Sequence, residues 1–265
     1  MKIKNLENIR PVPADWKRPA GPPHVWQQLE VDEQLNDGTT ERVRIIIQDI
    51  PEDRYDEVVE YMSNFFLSEL NIFVSLKIKE YKDAIEDYRK LIKHFLNENI
   101  SIGAFKLGSD DSLRELVAVN VLFVETKEAN KSLENIVTNF KSRSLKKYCN
   151  FKNNILENVD IYRTYGVDKY ICSAGLRVSP AFRGQKLGVR LLEIRNDIGR
   201  KHEIAITSTV FTGVQAQKQA KRSGFETNLS LNYVEILDDD GRPMFPDIDL
   251  RSQGAVLKIM SKKLL

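Results

Sequence analysis

Apolar positions along the chain recur with two periods, and the changes between them mark its elements. HVWQQLEV (24–31) and ERVRIIIQDI (41–50) flank Asn36, Asp37 and Gly38, which predicts a strand, a turn and a strand. Pro51 and the acids after it open a helix in which Val58, Met62, Phe65 and Phe66 keep helical spacing. A second helix is expected over 82–97, with Ile85, Tyr88, Ile92 and Phe95 on one face. Residues 100–105 and 115–125 read as consecutive strands joined by a turn at 108–112. Residues 128–160 read as helical, with Leu145, Tyr148 and Ile155 inward. The run at 169–178 is apolar on both faces, as a central sheet strand is. A helix with the stripe Leu187, Leu191, Ile194 and Ile198 follows, then a buried strand at 203–210 and a helix ending at Gly224. Strands at 229–237 and 254–264 close the pattern. Five of the nine prolines fall within 11–23, so 1–24 reads as an extended proline-rich arm and 25–265 as a single α/β domain.

Composition narrows the function. The 265 residues are 42% apolar, enough for a sizeable core, and lysine plus arginine (40) nearly balance aspartate plus glutamate (38), for a net charge of +2. That balance argues against a nucleic-acid partner held by phosphate neutralisation, and the basic runs at 141–147 and 218–223 read as solvated helix faces. Cys149 and Cys172 lack metal-site spacing, and His24, His94 and His202 are scattered, so no metal site assembles from sequence neighbours. No apolar run approaches the ~18 residues of a membrane span, and the opening MKIKNLENIRPVP lacks the apolar stretch of a signal peptide. The expectation is a cytoplasmic monomer with no membrane partner.

One stretch carries chemistry. Residues 176–193, LRVSPAFRGQKLGVRLLE, run from an apolar strand through Gly184 and Gly188 into a helix. Free N–H groups at a helix start, with the positive end of its dipole, suit an anion, and glycine lets the main chain approach one. A tight structural turn reads the stretch equally well. The sequence contains no GxxxxGK[ST] loop, and glycines four apart do not make GxGxxG.

Taken with the strand after it and Ser223-Gly224-Phe225-Glu226 beyond, the stretch resembles the GNAT acyltransferase superfamily. The resemblance implies a mixed, mostly antiparallel central sheet flanked by helices, with a splayed central strand pair. Its signature, Gln/Arg-x-x-Gly-x-Gly/Ala, maps to Gln185-Lys186-Leu187-Gly188-Val189-Arg190, with Lys186 where glycine is common and Arg190 in place of a small residue. By the resemblance, this loop, with Arg183 and Gly184 before it, would hold the pyrophosphate of acetyl-coenzyme A (acetyl-CoA), and Leu176, Arg177 and Val178 would pair with its pantetheine arm. VEYMSNFFLSELN (59–71) is similar to the Phe-Phe-x-x-Glu-Pro-Leu segment of insect arylalkylamine N-acetyltransferases, and 249–264 to their last strand. The long helical segment at 128–160 also sits where those enzymes have one, so the resemblance covers about 45–265.

What it implies is an acetyl-CoA-dependent N-acetyltransferase acting on a small, arylalkyl amine by direct transfer in a ternary complex. A polyamine, an amino acid or a protein amine are further acceptors, and a coenzyme A-binding protein without turnover is the alternative. An alkylamine with a pKa of ~10.4 must lose a proton to react. Glu69 matches the family's base, although the proline that should follow it is missing. A main-chain N–H near Val178 would stabilise the developing oxyanion. Thr212 aligns with a thiol-protonating serine of the family, while Ala216 aligns with a second and has no hydroxyl. On residue chemistry alone, Glu69 is a solvated helix end and Thr212 an N-cap. Cys172 reads as a small buried hydrophobe rather than a nucleophile, and Asp238, Asp239 and Asp240 as a solvated turn with Gly241.

Overall fold

A computed structural model of the chain describes residues 16–127, 130–238, 240–248, 250 and 254–265. Strands β1 (Val25–Gln34) and β2 (Thr40–Asp49) form the expected antiparallel hairpin, and Gly38 takes the φ of 83° that its turn requires. On β2 the strand period sorts side chains onto two faces, Ile45 and Ile47 to one core and Ile46 to the other. From the arm, Arg18 pairs with Asp49 at 3.2 Å and Trp16 meets the His202 ring edge-on. Residues 1–15 of that arm lie outside the described residues.

Pro51 leads through one 3-10 turn into α1 (Tyr55–Tyr61), and there the pattern departs from expectation. Met62–Phe66 form a π turn before the short helices α2 (Leu67–Glu69) and α3 (Asn71–Ser75). A π turn holds one residue more than an α turn, so the 3.6 period cannot run through it. Met62 is fully buried, whereas Phe65, expected inward, is 46% exposed. Helix α4 (Lys82–Leu96) follows its stripe, with Tyr88, Ile92 and Phe95 buried.

Strands β3 (Ile102–Leu107) and β4 (Leu113–Thr126) follow. The expected long helix divides into α5 (Asn130–Thr138), α6 (Arg143–Val159) and α7 (Ile161–Tyr165). The break falls where the Ser142 hydroxyl accepts from the Leu145 N–H at 3.2 Å and caps α6. After β5 (Lys169–Val178) come α8 (Leu187–Glu193) and α9 (Arg195–His202), whose stripe is buried as expected, Ile194 included, although the helix itself breaks at that residue. Strand β6 (Ile206–Phe211) starts later than expected, because Glu203 takes a left-handed φ of 54° to close α9. Helix α10 (Val214–Arg222) and strands β7 (Glu226–Asn232) and β8 (Val256–Lys263) complete the order. The second half of the strand expected at 229–237 is a 3-10 turn, Tyr233–Glu235, instead.

The eight strands make one sheet in the order β1-β2-β3-β4-β5-β6-β8-β7. Every pairing is antiparallel except β5 with β6, which are parallel and share one residue pair, Ile171 and Thr207. The expected mixed sheet with a splayed central pair is therefore the one observed. Arg195 fills the ground beneath the parting strands. Its Nε and Nη2 donate to Asn120 Oδ1 of β4 at 3.1 and 2.8 Å, and its Nη1 donates to the Thr207 and Thr209 hydroxyls of β6 at 3.0 and 2.9 Å. Burial with neutral partners pushes its guanidinium down to about 10. One face of the sheet is covered by α1, α4 and α6, the other by α8 and α9.

Candidate functional site

Beyond Ile171 the β6-facing edge of β5 has no strand partner among the described residues, and a cavity of about 840 Å³ opens there. Its walls come from both faces of the sheet: Leu187 and Gly188 of α8 on one, Tyr88 and Ile92 of α4 and Tyr148 of α6 on the other. The two strands frame it, so the cavity is a passage through the sheet. A β-bulge on β5 leaves Ala174 without a partner between the pairs Val121–Gly175 and Leu122–Ser173. A Cβ on Gly175 would come within 2.8 Å of Met62 Cε and Phe66 Cζ, so the π turn packs directly on the bulge.

The turn after β5 has two left-handed residues, Gly184 (φ 85°) and Lys186 (φ 63°), and α8 starts at Leu187. A Cβ on Gly184 would meet nothing within 4 Å, so its backbone conformation alone calls for glycine. Lys186 holds the same conformation against the steric cost of its Cβ, which is of order 1 kcal/mol or more. Inside α8, Gly188 faces Gln219 of α10, where a side chain would collide with the side-chain oxygen Oε1 of Gln219. Leu176, Arg177, Val178, Arg183, Gly184, Lys186, Leu187 and Gly188 all line the cavity; Gln185, Val189 and Arg190 do not. The Gln185 amide is instead tied to Asp32 of β1, accepting from its N–H at 2.6 Å and donating to its carbonyl.

Glu69 and Thr212, far apart in sequence, reach the same cavity. Glu69 is not a free carboxylate. Its Oε1 accepts from Arg177 Nη2 at 3.0 Å and its Oε2 from Arg183 Nη2 at 2.9 Å. The Arg177 guanidinium lies over the Tyr61 and Phe65 rings, at 4.7 and 4.4 Å, which accounts for Phe65 standing outside the core. Arg183 also donates through Nε to the Val178 carbonyl at 3.2 Å. Leu70, where the family has proline, has φ −77° and ψ 113°, angles proline also adopts, but its N–H donates to the Phe66 carbonyl at 3.0 Å, a bond that proline could not make. The carbonyl of Thr212 accepts from the Tyr233 hydroxyl at 2.6 Å and from Asn71 Nδ2 at 3.3 Å. Thr212 does not cap the helix after it: the cap is Gly213, with no side-chain bond. Ala216 lines the cavity beside it.

The sequence reading missed the clamp of two arginines on Glu69. Its one signal was an arginine inside an otherwise apolar strand. Cys172 is buried in the core, and burial raises its thiol pKa; the Cys149 thiol is pushed up to about 12, so neither offers a thiolate. Asp238 forms the expected turn, accepting from the Gly241 N–H at 2.9 Å and pairing with Lys147 at 2.8 Å, while Asp239 lies outside the described residues. Among the described residues, no helix is long and apolar enough to cross a membrane.

No family model matches the chain, and no curated protein matches it in sequence. Solved structures do. A protein assigned as arylalkylamine N-acetyltransferase 7 of the yellow fever mosquito Aedes aegypti superposes with a TM-score of 0.80 at 26% identity, covering 94% of this chain and 100% of its own. Arylalkylamine N-acetyltransferase 2 of Aedes aegypti gives 0.72 at 22% identity, over 83% and 99% of the two chains. The Drosophila melanogaster polyamine N-acetyltransferase, which catalyses formation of N-acetylagmatine, gives 0.66 at 16%, over the same shares. The GNAT fold and the likeness to insect arylalkylamine N-acetyltransferases, expected from the glycine turn and the segment at 59–71, are borne out.

Proposed function

We propose that this chain, an acyltransferase of GNAT fold, transfers an acetyl group from acetyl-CoA to the nitrogen of a small amine by direct transfer in a ternary complex. The observation that carries the reading is the passage between β5 and β6, walled by the glycine turn on one face of the sheet and by an aromatic chamber on the other. Two reactants entering from opposite faces would meet where the strands part. Bound acetyl-CoA would supply an activated thioester at that point.

The residues present suit such a group. Gly184 has no neighbour to crowd a ligand, Arg183 and Lys186 place cations at the turn, and the β6-facing edge of β5 beyond Ile171 offers main-chain groups to an extended arm. The left-handed residue at Lys186 also moves the signature's register. Lys186, not Gly188, stands where a glycine's conformation is needed. Arg183 then leads the signature, Gly188 is its small final residue and Arg190 falls outside it, which removes the departure that Arg190 presented. Arg183, Gly184, Lys186, Leu187 and Gly188 would hold the pyrophosphate, with Leu176, Arg177 and Val178 along the arm. Gln185 anchors the loop to β1.

Glu69 would take the amine's proton, directly or through water, once Arg183 releases one of its oxygens. Thr212, on the cavity wall, would offer its hydroxyl to the leaving thiolate. The clamp on Glu69 and the missing hydroxyl at Ala216 favour a second reading, a coenzyme A-binding protein with little turnover. A panel of amines incubated with acetyl-CoA, read by release of free thiol, separates the two. Release with an aromatic amine is expected. Coenzyme A binding without release supports the second reading, and no coenzyme A binding overturns both.

A further inference from the structure

On the α4 and α6 side of the sheet the passage widens into a chamber walled by Phe73, Tyr88, Phe95 and Tyr148, with Lys152 and Asn153 at its rim. Its charges have one sign. Glu69 is the sole carboxylate among the described residues of the whole cavity wall, and both its oxygens are engaged by arginines. Lys152, by contrast, forms no ion pair among the described residues. Its ammonium lies 5.0 Å from the centre of the Phe123 ring, and the buried Glu125 feels its field without closing a salt bridge. The Tyr88 hydroxyl is a second unspent group: the residue is 2% exposed, lines the chamber, and its oxygen has no hydrogen-bond partner among the described residues. A buried hydroxyl left without a partner is costly and calls for a ligand atom or a water.

These groups select between acceptors. An amine with a second cationic end, a polyamine or a guanidinium, would bury that charge beside Lys152 with no free carboxylate on the described cavity wall to receive it, Glu125 lying buried behind that wall. A carboxylate on an apolar or aromatic body meets an unpaired ammonium and a hydroxyl donor instead. We propose that the acceptor is an aromatic or apolar amine bearing a carboxylate, and that Lys152, with Tyr88, sets this specificity. The proposal rests on the acetyl-transfer reading above.

Three amines of similar size test it with acetyl-CoA and the full chain: 4-(2-aminoethyl)benzoate, 2-phenylethylamine and agmatine. The benzoate is expected to exceed phenylethylamine by about tenfold in kcat/KM, as an added charge pair does when partly desolvated, with agmatine near background. In Lys152→Gln the ratio falls towards one, in Lys152→Arg it persists, and the melting temperature of each variant shows that the fold is intact. A second arm needs no turnover: 3-phenylpropionate, a carboxylate without the amine, is expected to bind the wild type calorimetrically and Lys152→Gln at least about tenfold more weakly. Equal rates for benzoate and phenylethylamine, preference for agmatine, or phenylpropionate binding that ignores Lys152 would overturn the proposal. Thiol release from none of the amines, with coenzyme A bound, would overturn the acetyl-transfer reading, and the specificity proposal with it, whatever phenylpropionate does.

Discussion

Arg183 divides its guanidinium between the Val178 carbonyl and Glu69, beside the glycine turn. A phosphate there would compete with Glu69 for the same donors, so loading the turn would release one Glu69 oxygen while Arg177 keeps the other. Arg183→Gln removes a charge-assisted contact worth about 1.5–3 kcal/mol, so KM for acetyl-CoA should rise at least about tenfold while kcat falls by less than about threefold. Steady-state kinetics check this; a collapse in kcat at unchanged KM would mean that Arg183 serves Glu69 instead. The pKa of Glu125 is shifted in the opposite direction from that of a paired carboxylate. Burial raises its pKa above the ordinary 4.5. A carboxyl raised on folding contributes stability in acid, below its ordinary value, and that contribution is lost as pH rises through the raised one. Glu125→Gln should therefore raise the melting temperature at about pH 7–8, and the gain should vanish by about pH 4. Thermal melts across pH decide it.

The helices and strands with a clean period were legible from sequence. The hairpin, α4 and the α8–α9 stripe came out where their spacing put them, because each buries one face and the period reports that face directly. The break in the long helix was legible only in part: Ser142 is a good cap, but a serine between helical runs is also an ordinary surface residue. The π turn left no trace in the sequence, since it depends on Phe65 lying over Arg177 and on Phe66 meeting Gly175, contacts between segments about a hundred residues apart. Gly175→Ala tests that dependence. The added methyl collides with Met62 and Phe66, and relief by side-chain shifts should cost about 1–3 kcal/mol. The melting temperature should drop by several degrees, and the rate of thiol release should fall by more than that loss of stability accounts for, because Glu69 moves with the turn. A lowered melting temperature with full activity would disconnect the π turn from the site.

Over the whole molecule, the sequence placed the glycine turn, Glu69 and Thr212 at one site only through a family likeness; the fold shows why they meet, with β5, α2 and the end of β6 converging on one gap in the sheet. What stayed illegible, the arginine clamp and the chamber of Tyr88 and Lys152, is made of long-range contacts, which have no period to read. The gap has a mechanical side as well. Strands β1 to β5 form one ladder and β6, β8 and β7 another, and within the sheet the described links across the division are a single strand pair, Ile171 with Thr207, the Thr207 hydroxyl donating to the Ile171 carbonyl at 2.9 Å, and the Arg195 guanidinium. The sheet thus has a seam. Under load or gentle denaturation it would tear there first, with each ladder still intact. A protein whose working parts are shared between the two halves would then fall silent before it unfolds.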